Sequence, residues 1–196
     1  MSTLEEKAKI LKSALDALKT GDIKVAESII CLEYPFVYKE VRGRKYTDTQ
    51  KIQVFIKDGF LDRYTGEKLI NPGFLKVLSF YFPNIFPYQA HWKMTECHNA
   101  YWEFCPTVDH VVPIAWGGTD DISNWVSTSM IKNAVKSNWT LEQLGWRLYD
   151  GGNIEQWDGL TRDFIDLVEK NKELLSDAYI KKWYKISLKA LMDRRN

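Results

Sequence analysis

Hydrophobic positions recur at helical spacing along most of the chain. After Thr3, which begins a capping-box sequence, the apolar positions Leu4, Ile10, Leu11, Leu15 and Leu18 lie at helical spacing until Gly21. A second helix is predicted from Ile23 to about residue 32, and the two would form a helical hairpin. The same periodicity predicts further helices over residues 47–58, 71–82, 158–175 and 176–195.

One part of the chain departs from this pattern. Strand signals lie between residues 107 and 129, where two β-rich runs flank a Gly-Gly turn and a helix follows. We predict strands over 108–114 and 125–128, with Pro113 indicating an edge strand, and a helix over 130–136. The chain is therefore predicted to be an α+β protein, mostly helical, with an embedded ββα unit.

The size of the chain favours one integrated globular unit. With 196 residues, of which 45% are hydrophobic, it can bury a substantial core. Within that unit we predict an N-terminal helical hairpin and arm over 1–45, a core over 46–150 and a C-terminal helical extension over 151–196.

Charge and cysteine content limit the possible settings. The formal net charge of +1 gives no global case for nucleic-acid binding, so such a function would need local basic patches. The N-terminal segment is charged and amphipathic, unlike a signal peptide, and no apolar run approaches a membrane span. The three cysteines lack CxxC spacing, which favours free thiols in a reducing compartment. We therefore expect a cytoplasmic protein that does not enter membranes.

The polar positions of the ββα unit carry the candidate chemistry. Phosphodiester hydrolysis needs a base that works near neutral pH, and His110 is suited to this because an unperturbed imidazole titrates near pH 6.5. It also needs a divalent cation, for which Asp109 and Asn133 offer hard oxygen ligands. The alternative is an ordinary acidic hairpin in which Asp109 and Asn124 satisfy loop amides.

The order of these residues resembles the HNH endonuclease motif in its His-Asn-Asn form. His110 and Asn124 are 14 positions apart, and Asn124 and Asn133 are 9 apart, as in the HNH domains of RNA-guided effector nucleases. The surrounding sequence from Tyr46 to Trp157 is also similar to that of stand-alone bacterial HNH proteins. The matching positions are Asp109, His110, Pro113, Gly117, Gly118, Asn124, Asn133 and Lys136.

The resemblance implies a role for each polar residue. Asp109 and Asn133 would ligate one Mg²⁺ or Mn²⁺, and His110 would be the general base. Asn124 would brace the loop between the strands and help to orient His110. Lys136 would face a phosphate or stabilise the site.

Contacts to DNA are expected from basic residues near the motif. Lys136 and Arg63 are the first candidates, and Lys132 lies beside them on the predicted helix. The arm residues Arg42, Arg44 and Lys45 could track phosphates as well. The basic run of the last predicted helix fits a solvated face better than a DNA contact.

The chain departs from the zinc-binding members of this family. Where those proteins carry two CxxC pairs, this sequence has Asp62, Thr65, Ser129 and Lys132. Without thiolates a structural zinc is not expected. Polar contacts, such as one between Asp62 and Lys132, would replace it.

A second arrangement of zinc ligands is weighed against buried thiols. Cys97, His98 and Cys105, with His91, could be offered as a substitute site. Their spacing is not a standard one, so free or buried cysteines beside a hydrogen-bonded His98 are favoured.

The function implied by the resemblance is metal-dependent cleavage of DNA. One metal site cuts one strand per encounter, so a double-strand break would need a homodimer or two successive events. Two alternatives remain open. One is a catalytically inactive HNH-fold module that binds DNA. The other is an interaction module in which the terminal helices dock a partner.

Overall fold

A computed structural model describes residues 3–36 and 46–194. The chain divides into two compact units, residues 1–40 and residues 41–196. The predicted ranges 46–150 and 151–196 therefore lie in the same unit. The proposed phosphate contacts at Arg42, Arg44 and Lys45 fall outside the described residues.

The N-terminal unit is the predicted helical hairpin. Helix α1 spans Leu4–Lys19 and begins with a capping box, in which Thr3 and Glu6 each accept a hydrogen bond from the other's backbone amide. Gly21, with φ +85°, turns the chain into α2, which spans Ile23–Glu33. Ala14 and Ala26 are the buried residues among those described in this unit, so the helices approach each other through small side chains.

The larger unit is α+β, as predicted, with a two-stranded antiparallel sheet among helices. Short 3-10 helices at Ile114–Trp116 and Lys172–Ser176 lie between its longer elements. In chain order the helices and strands are α3 (Asp48–Lys57), α4 (Pro72–Tyr81), α5 (Ala100–Glu103), β1 (Pro106–His110), β2 (Trp125–Ser129), α6 (Met130–Lys136), α7 (Leu141–Leu144), α8 (Thr161–Lys170) and α9 (Ala178–Asp193).

The main hydrophobic core forms where α9 packs against α3, α4 and α8. Phe55 of α3 stacks on Trp183 of α9 with their ring centroids 6.2 Å apart. Val108 of β1 and Trp125 of β2 belong to the same cluster. Because α3 and α6 both pack on the strands, the small sheet is held by two helices from different parts of the chain.

Strand β1 is earlier and shorter than the sequence predicts. It begins at Pro106 and ends at His110, which pairs with Trp125, so the predicted strand over 108–114 is wrong at both ends. The side chain of Asn124 explains the stop. Its Oδ1 accepts from Val112 N at 2.9 Å and its Nδ2 donates to Val112 O at 2.8 Å, which replaces strand pairing. Pro113 therefore lies in the loop rather than in an edge strand.

The edge of β2 that faces away from β1 is closed by two buried carboxylates. Asp58, directly after α3, accepts from Ser127 N at 2.7 Å. Asp62 accepts from Ser129 N at 2.8 Å and from Thr128 Oγ1 at 3.1 Å. Both aspartates are 1% exposed, so these bonds satisfy backbone amides that water cannot reach.

Cys97 and Cys105 lie in a second apolar cluster with Leu75, Ala100 and Tyr101. Both thiols are free, and burial raises the pKa of Cys105. The environment favours the neutral thiol over the thiolate that zinc requires. Among the described residues no helix is long and apolar enough to cross a membrane.

Candidate functional site

The last residue of β1 places an imidazole inside the protein. His110 is 1% exposed, and its Nε2 lies 2.8 Å from Asp120 Oδ1 in the loop that joins the strands. The indole Nε1 of Trp125 lies 3.1 Å from both of these atoms. His110 Nδ1 is buried and has no hydrogen-bond partner among the described residues. One nitrogen is therefore fixed and the other retains its bonding capacity.

Asp109, one residue earlier, is held by two donors. Tyr64 donates its hydroxyl hydrogen to Oδ2 at 2.6 Å, and the Lys136 ammonium lies 2.8 Å from the same oxygen. Burial, followed by the charge of Asp109, raises the pKa of Tyr64, so this phenol stays protonated as a donor. Since both contacts are made to Oδ2, Oδ1 is the Asp109 oxygen that would hold a metal.

Lys136 is buried, which fits the second of its two expected roles, stabilising the site, better than a contact with phosphate. It is 0% exposed, and its ammonium donates to His110 O at 2.7 Å in addition to pairing with Asp109. A buried ammonium is tolerable only with such partners. Lys136 thereby connects α6 to the end of β1 and offsets the charge of Asp109.

Asn133 lies three residues before Lys136 on α6, so the two side chains share one face of that helix. Its Nδ2 points at β1, 3.4 Å from Thr107 Oγ1 and 3.5 Å from Val108 O. The amide oxygen is then the atom that remains for a ligand. The predicted metal ligands Asp109 and Asn133 thus both lie where α6 meets β1.

Asn124 braces the loop between the strands. Besides its two bonds to Val112, it donates to Thr119 O at 2.9 Å. Gly118 packs tightly here, because a Cβ at that position would lie 1.8 Å from Val112 O. Asp120 and Trp125 are the side chains that lie within hydrogen-bonding distance of His110 Nε2, so Asn124 affects the imidazole through the path of the loop.

The site offers a divalent cation few ligands from the protein itself. Within residues 3–36 and 46–194 no group of three or more His, Cys, Asp or Glu side chains is arranged to hold a metal. Asp109 and Asn133 offer one carboxylate and one amide oxygen, which are hard donors that suit Mg²⁺ or Mn²⁺. They fit a cation that takes its other ligands from water and phosphate. Since Lys136 offsets the Asp109 charge, the protein alone would hold that cation weakly.

The other predicted DNA contacts differ in how far they remain accessible. The Arg63 side chain is 15% exposed, and its guanidinium pairs with Asp58 at 2.7 Å and also donates to Tyr149 O. Lys132 is partly exposed on α6, with its ammonium 5.7 Å from the centre of the Trp146 ring. Arg63 is therefore committed to internal contacts, whereas Lys132 can still reach a ligand.

The positions compared with zinc ligands are joined by polar contacts. Asp62 bonds Ser129 and Thr128, not Lys132 as proposed from the sequence. Thr65 donates its backbone amide to Asp62 O at 3.2 Å. The bond between Asp62 and Ser129 joins the two segments and fastens the turn after α3 to β2.

Three residues of the site are not singled out by the sequence analysis, namely Asp120, Tyr64 and Trp125. The spacing Gly-Gly-x-Asp in the loop is the signal that could have drawn attention to Asp120. Tyr64 lies 45 positions from Asp109, and no local pattern joins them.

Comparison of the chain with protein-family models, with curated proteins and with solved structures finds no match. The geometry of the site therefore carries the functional interpretation.

Proposed function

We propose that the protein is a metal-dependent DNA endonuclease of the HNH type, with a single ββα-metal site. One observation carries the proposal. At the end of β1, an imidazole fixed through Nε2 and unpartnered at Nδ1 directly follows a carboxylate that faces the asparagine-bearing helix. The order Asp109, His110, Asn124 and Asn133 in the sequence supports the same assignment.

Asp109 Oδ1 and Asn133 Oδ1 are the atoms that would hold Mg²⁺ or Mn²⁺. When bound, the cation would orient a phosphate and stabilise negative charge on the departing 3′ oxygen. Tyr64 and Lys136 hold Asp109 through its other oxygen, which fixes the carboxylate and keeps it in place.

His110 Nδ1 would take the proton from the attacking water. Asp120 keeps the ring in one orientation, and Asn124 with Gly118 sets the path of the loop that carries Asp120. Lys132 would contact the DNA backbone from the accessible side of α6.

Cleavage of supercoiled plasmid tests this function. Purified protein is incubated with Mg²⁺, Mn²⁺, Zn²⁺ or EDTA, and nicked and linear products are separated on a gel. We expect nicking with Mg²⁺ or Mn²⁺ and none with EDTA. Linear product in the first turnover would indicate a dimer acting on both strands. If plasmid, linear duplex and single-stranded DNA all stay intact with every metal, the proposal is wrong.

A catalytically inactive module that binds DNA is the second candidate. Two observations favour it: Lys136 already neutralises Asp109, and the His110 side chain is only 2% exposed. DNA binding without cleavage of any substrate would support this candidate. A cleavage product that disappears in His110→Ala protein would exclude it.

A further inference from the structure

We propose that Asp120 is a positioning residue that fixes the tautomer of His110, leaving Nδ1 as the hydrogen-bond acceptor. This inference rests on the proposed function for its catalytic consequence, but the tautomer itself is a property of the protein alone. Asp120 lies ten residues after His110, within the loop that joins β1 to β2.

The hydrogen positions follow from what each atom can donate. A carboxylate only accepts hydrogen bonds, and Asp120 Oδ1 lies 2.8 Å from His110 Nε2. Two acceptor lone pairs at that distance would repel each other, so a hydrogen must lie between them, and it belongs to Nε2. In a neutral ring, Nδ1 then carries the lone pair.

Trp125 makes this choice depend on Asp120. Its indole Nε1 only donates, and it lies 3.1 Å from both Asp120 Oδ1 and His110 Nε2. While the carboxylate is present, Oδ1 accepts from both rings. Without it, Nε2 becomes the acceptor left for the indole, and the imidazole hydrogen moves to Nδ1.

The consequence for catalysis is direct. A base must present a lone pair to the attacking water, and the Nδ1–H tautomer has none at that atom. An aspartate that holds the correct histidine tautomer is worth orders of magnitude in rate in enzymes that use such a pair. Asp120 would therefore act through His110 and not by binding DNA or metal itself.

The tautomer is measured first, without any substrate. Long-range ¹H–¹⁵N spectra of ¹⁵N-histidine-labelled protein distinguish protonated from unprotonated ring nitrogens, and the three histidines are assigned by single substitution. We expect His110 in wild-type protein to be the Nε2–H tautomer. In Asp120→Ala we expect Nδ1–H, and in Asp120→Ala/Trp125→Phe a partial return to Nε2–H, because the competing indole donor is gone.

Cleavage is measured next on the substrate cut by wild-type protein. We expect Asp120→Ala to lower the single-turnover rate about 10²- to 10⁴-fold with unchanged DNA affinity. Asp120→Asn can present either its carbonyl oxygen or its amide NH2 to Nε2, so its loss of rate should follow the fraction of Nδ1–H tautomer that this variant populates.

Asp121→Ala is the matched control. Asp121 neighbours Asp120 in the same loop but accepts from the backbone amide of Ser123 at 2.9 Å and does not contact His110. It should loosen the loop without changing the tautomer. If Asp120→Ala is too unstable to study, Asp120→Asn carries both measurements.

The two proposals fail separately. Wild-type tautomer and wild-type cleavage rate in both Asp120 variants would overturn the positioning role and leave the nuclease proposal standing. If the wild-type protein cleaves no nucleic acid and Asp120→Ala still changes the tautomer of His110, the positioning role would be supported and the nuclease proposal overturned.

Discussion

The two edges of the β1–β2 pair use aspartate in different ways. Beyond β2, Asp58 and Asp62 accept hydrogen bonds from the backbone amides of Ser127 and Ser129. At the end of β1, Asp109 and Asp120 contact the side chains of Lys136 and His110 instead. A carboxylate bound to backbone amides cannot exchange partners without opening the strand, whereas one bound to side chains can rearrange around a ligand. We therefore call the side of Asp58 and Asp62 the scaffold edge, and the end of β1, where the proposed chemistry would take place, the reactive edge.

The largest effect is expected from His110→Ala at the reactive edge. Loss of the proposed general base should lower the cleavage rate about 10²- to 10⁴-fold, while DNA affinity stays within a factor of about two. Single-turnover cleavage and a binding titration on the same DNA check this. A variant that cleaves at the wild-type rate would show that the base has been assigned to the wrong residue.

Asp58→Ala at the scaffold edge should affect stability instead. It leaves Ser127 N and the Arg63 guanidinium without their buried partner, which we expect to cost about 3–5 kcal/mol. The free energy of unfolding in urea measures the loss.

Glu155→Ala provides the matched control for Asp58→Ala. The Glu155 side chain is 64% exposed in an ion pair with Arg162, so its loss should cost about 1 kcal/mol or less. Equal losses in the two variants would contradict the scaffold role of Asp58.

Lys136→Met should sharpen the comparison through metal affinity. Removing the ammonium beside Asp109 leaves the carboxylate charge uncompensated, so Mn²⁺ should bind the free protein about tenfold or more tightly. Calorimetric titration of Mn²⁺ without DNA gives the dissociation constant, and Lys132→Met is the control. Unchanged affinity in Lys136→Met would mean that Asp109 does not hold the cation.

The smallest effect concerns the DNA backbone. Lys132→Ala should reduce the slope of log affinity against log salt concentration by about 1, the value for one lost phosphate contact. Lys136→Met should leave that slope unchanged, because the ammonium of Lys136 is buried in the wild-type protein and does not reach DNA. A reduced slope in the second variant and not in the first would reverse the two assignments.

The parts of the fold that sequence predicted are those with local signals. The helical hairpin, the helix begun by Asn71-Pro72 and the order strand, loop, strand, helix depend on caps, turns and periodicity within a few residues. The end of β1 was misplaced because a side chain, Asn124, took over the hydrogen bonds of Val112. The backbone propensities of residues 108–114 do not reveal that a distant side chain replaces the strand hydrogen bonds.

The residues of the candidate site likewise fall into those that the sequence could identify and those that it could not. Asp109, His110 and Asn133 could be named from their residue types and order, and the structure brings β1 and α6, which carry them, together. The burial of Lys136 and the contact of Tyr64 with Asp109 could not be read from the sequence, because both depend on how segments far apart pack.

The closed edge of β2 also has a consequence for how copies of the protein behave at high concentration. An uncovered strand edge presents free amide and carbonyl groups, which pair with strands of other molecules and start aggregation. Here the Asp58 and Asp62 carboxylates and the Arg63 backbone amide occupy that edge at Ser127 and Ser129. Loss of either aspartate would therefore open a template for intermolecular pairing, and turbidity during storage would rise together with the loss of stability.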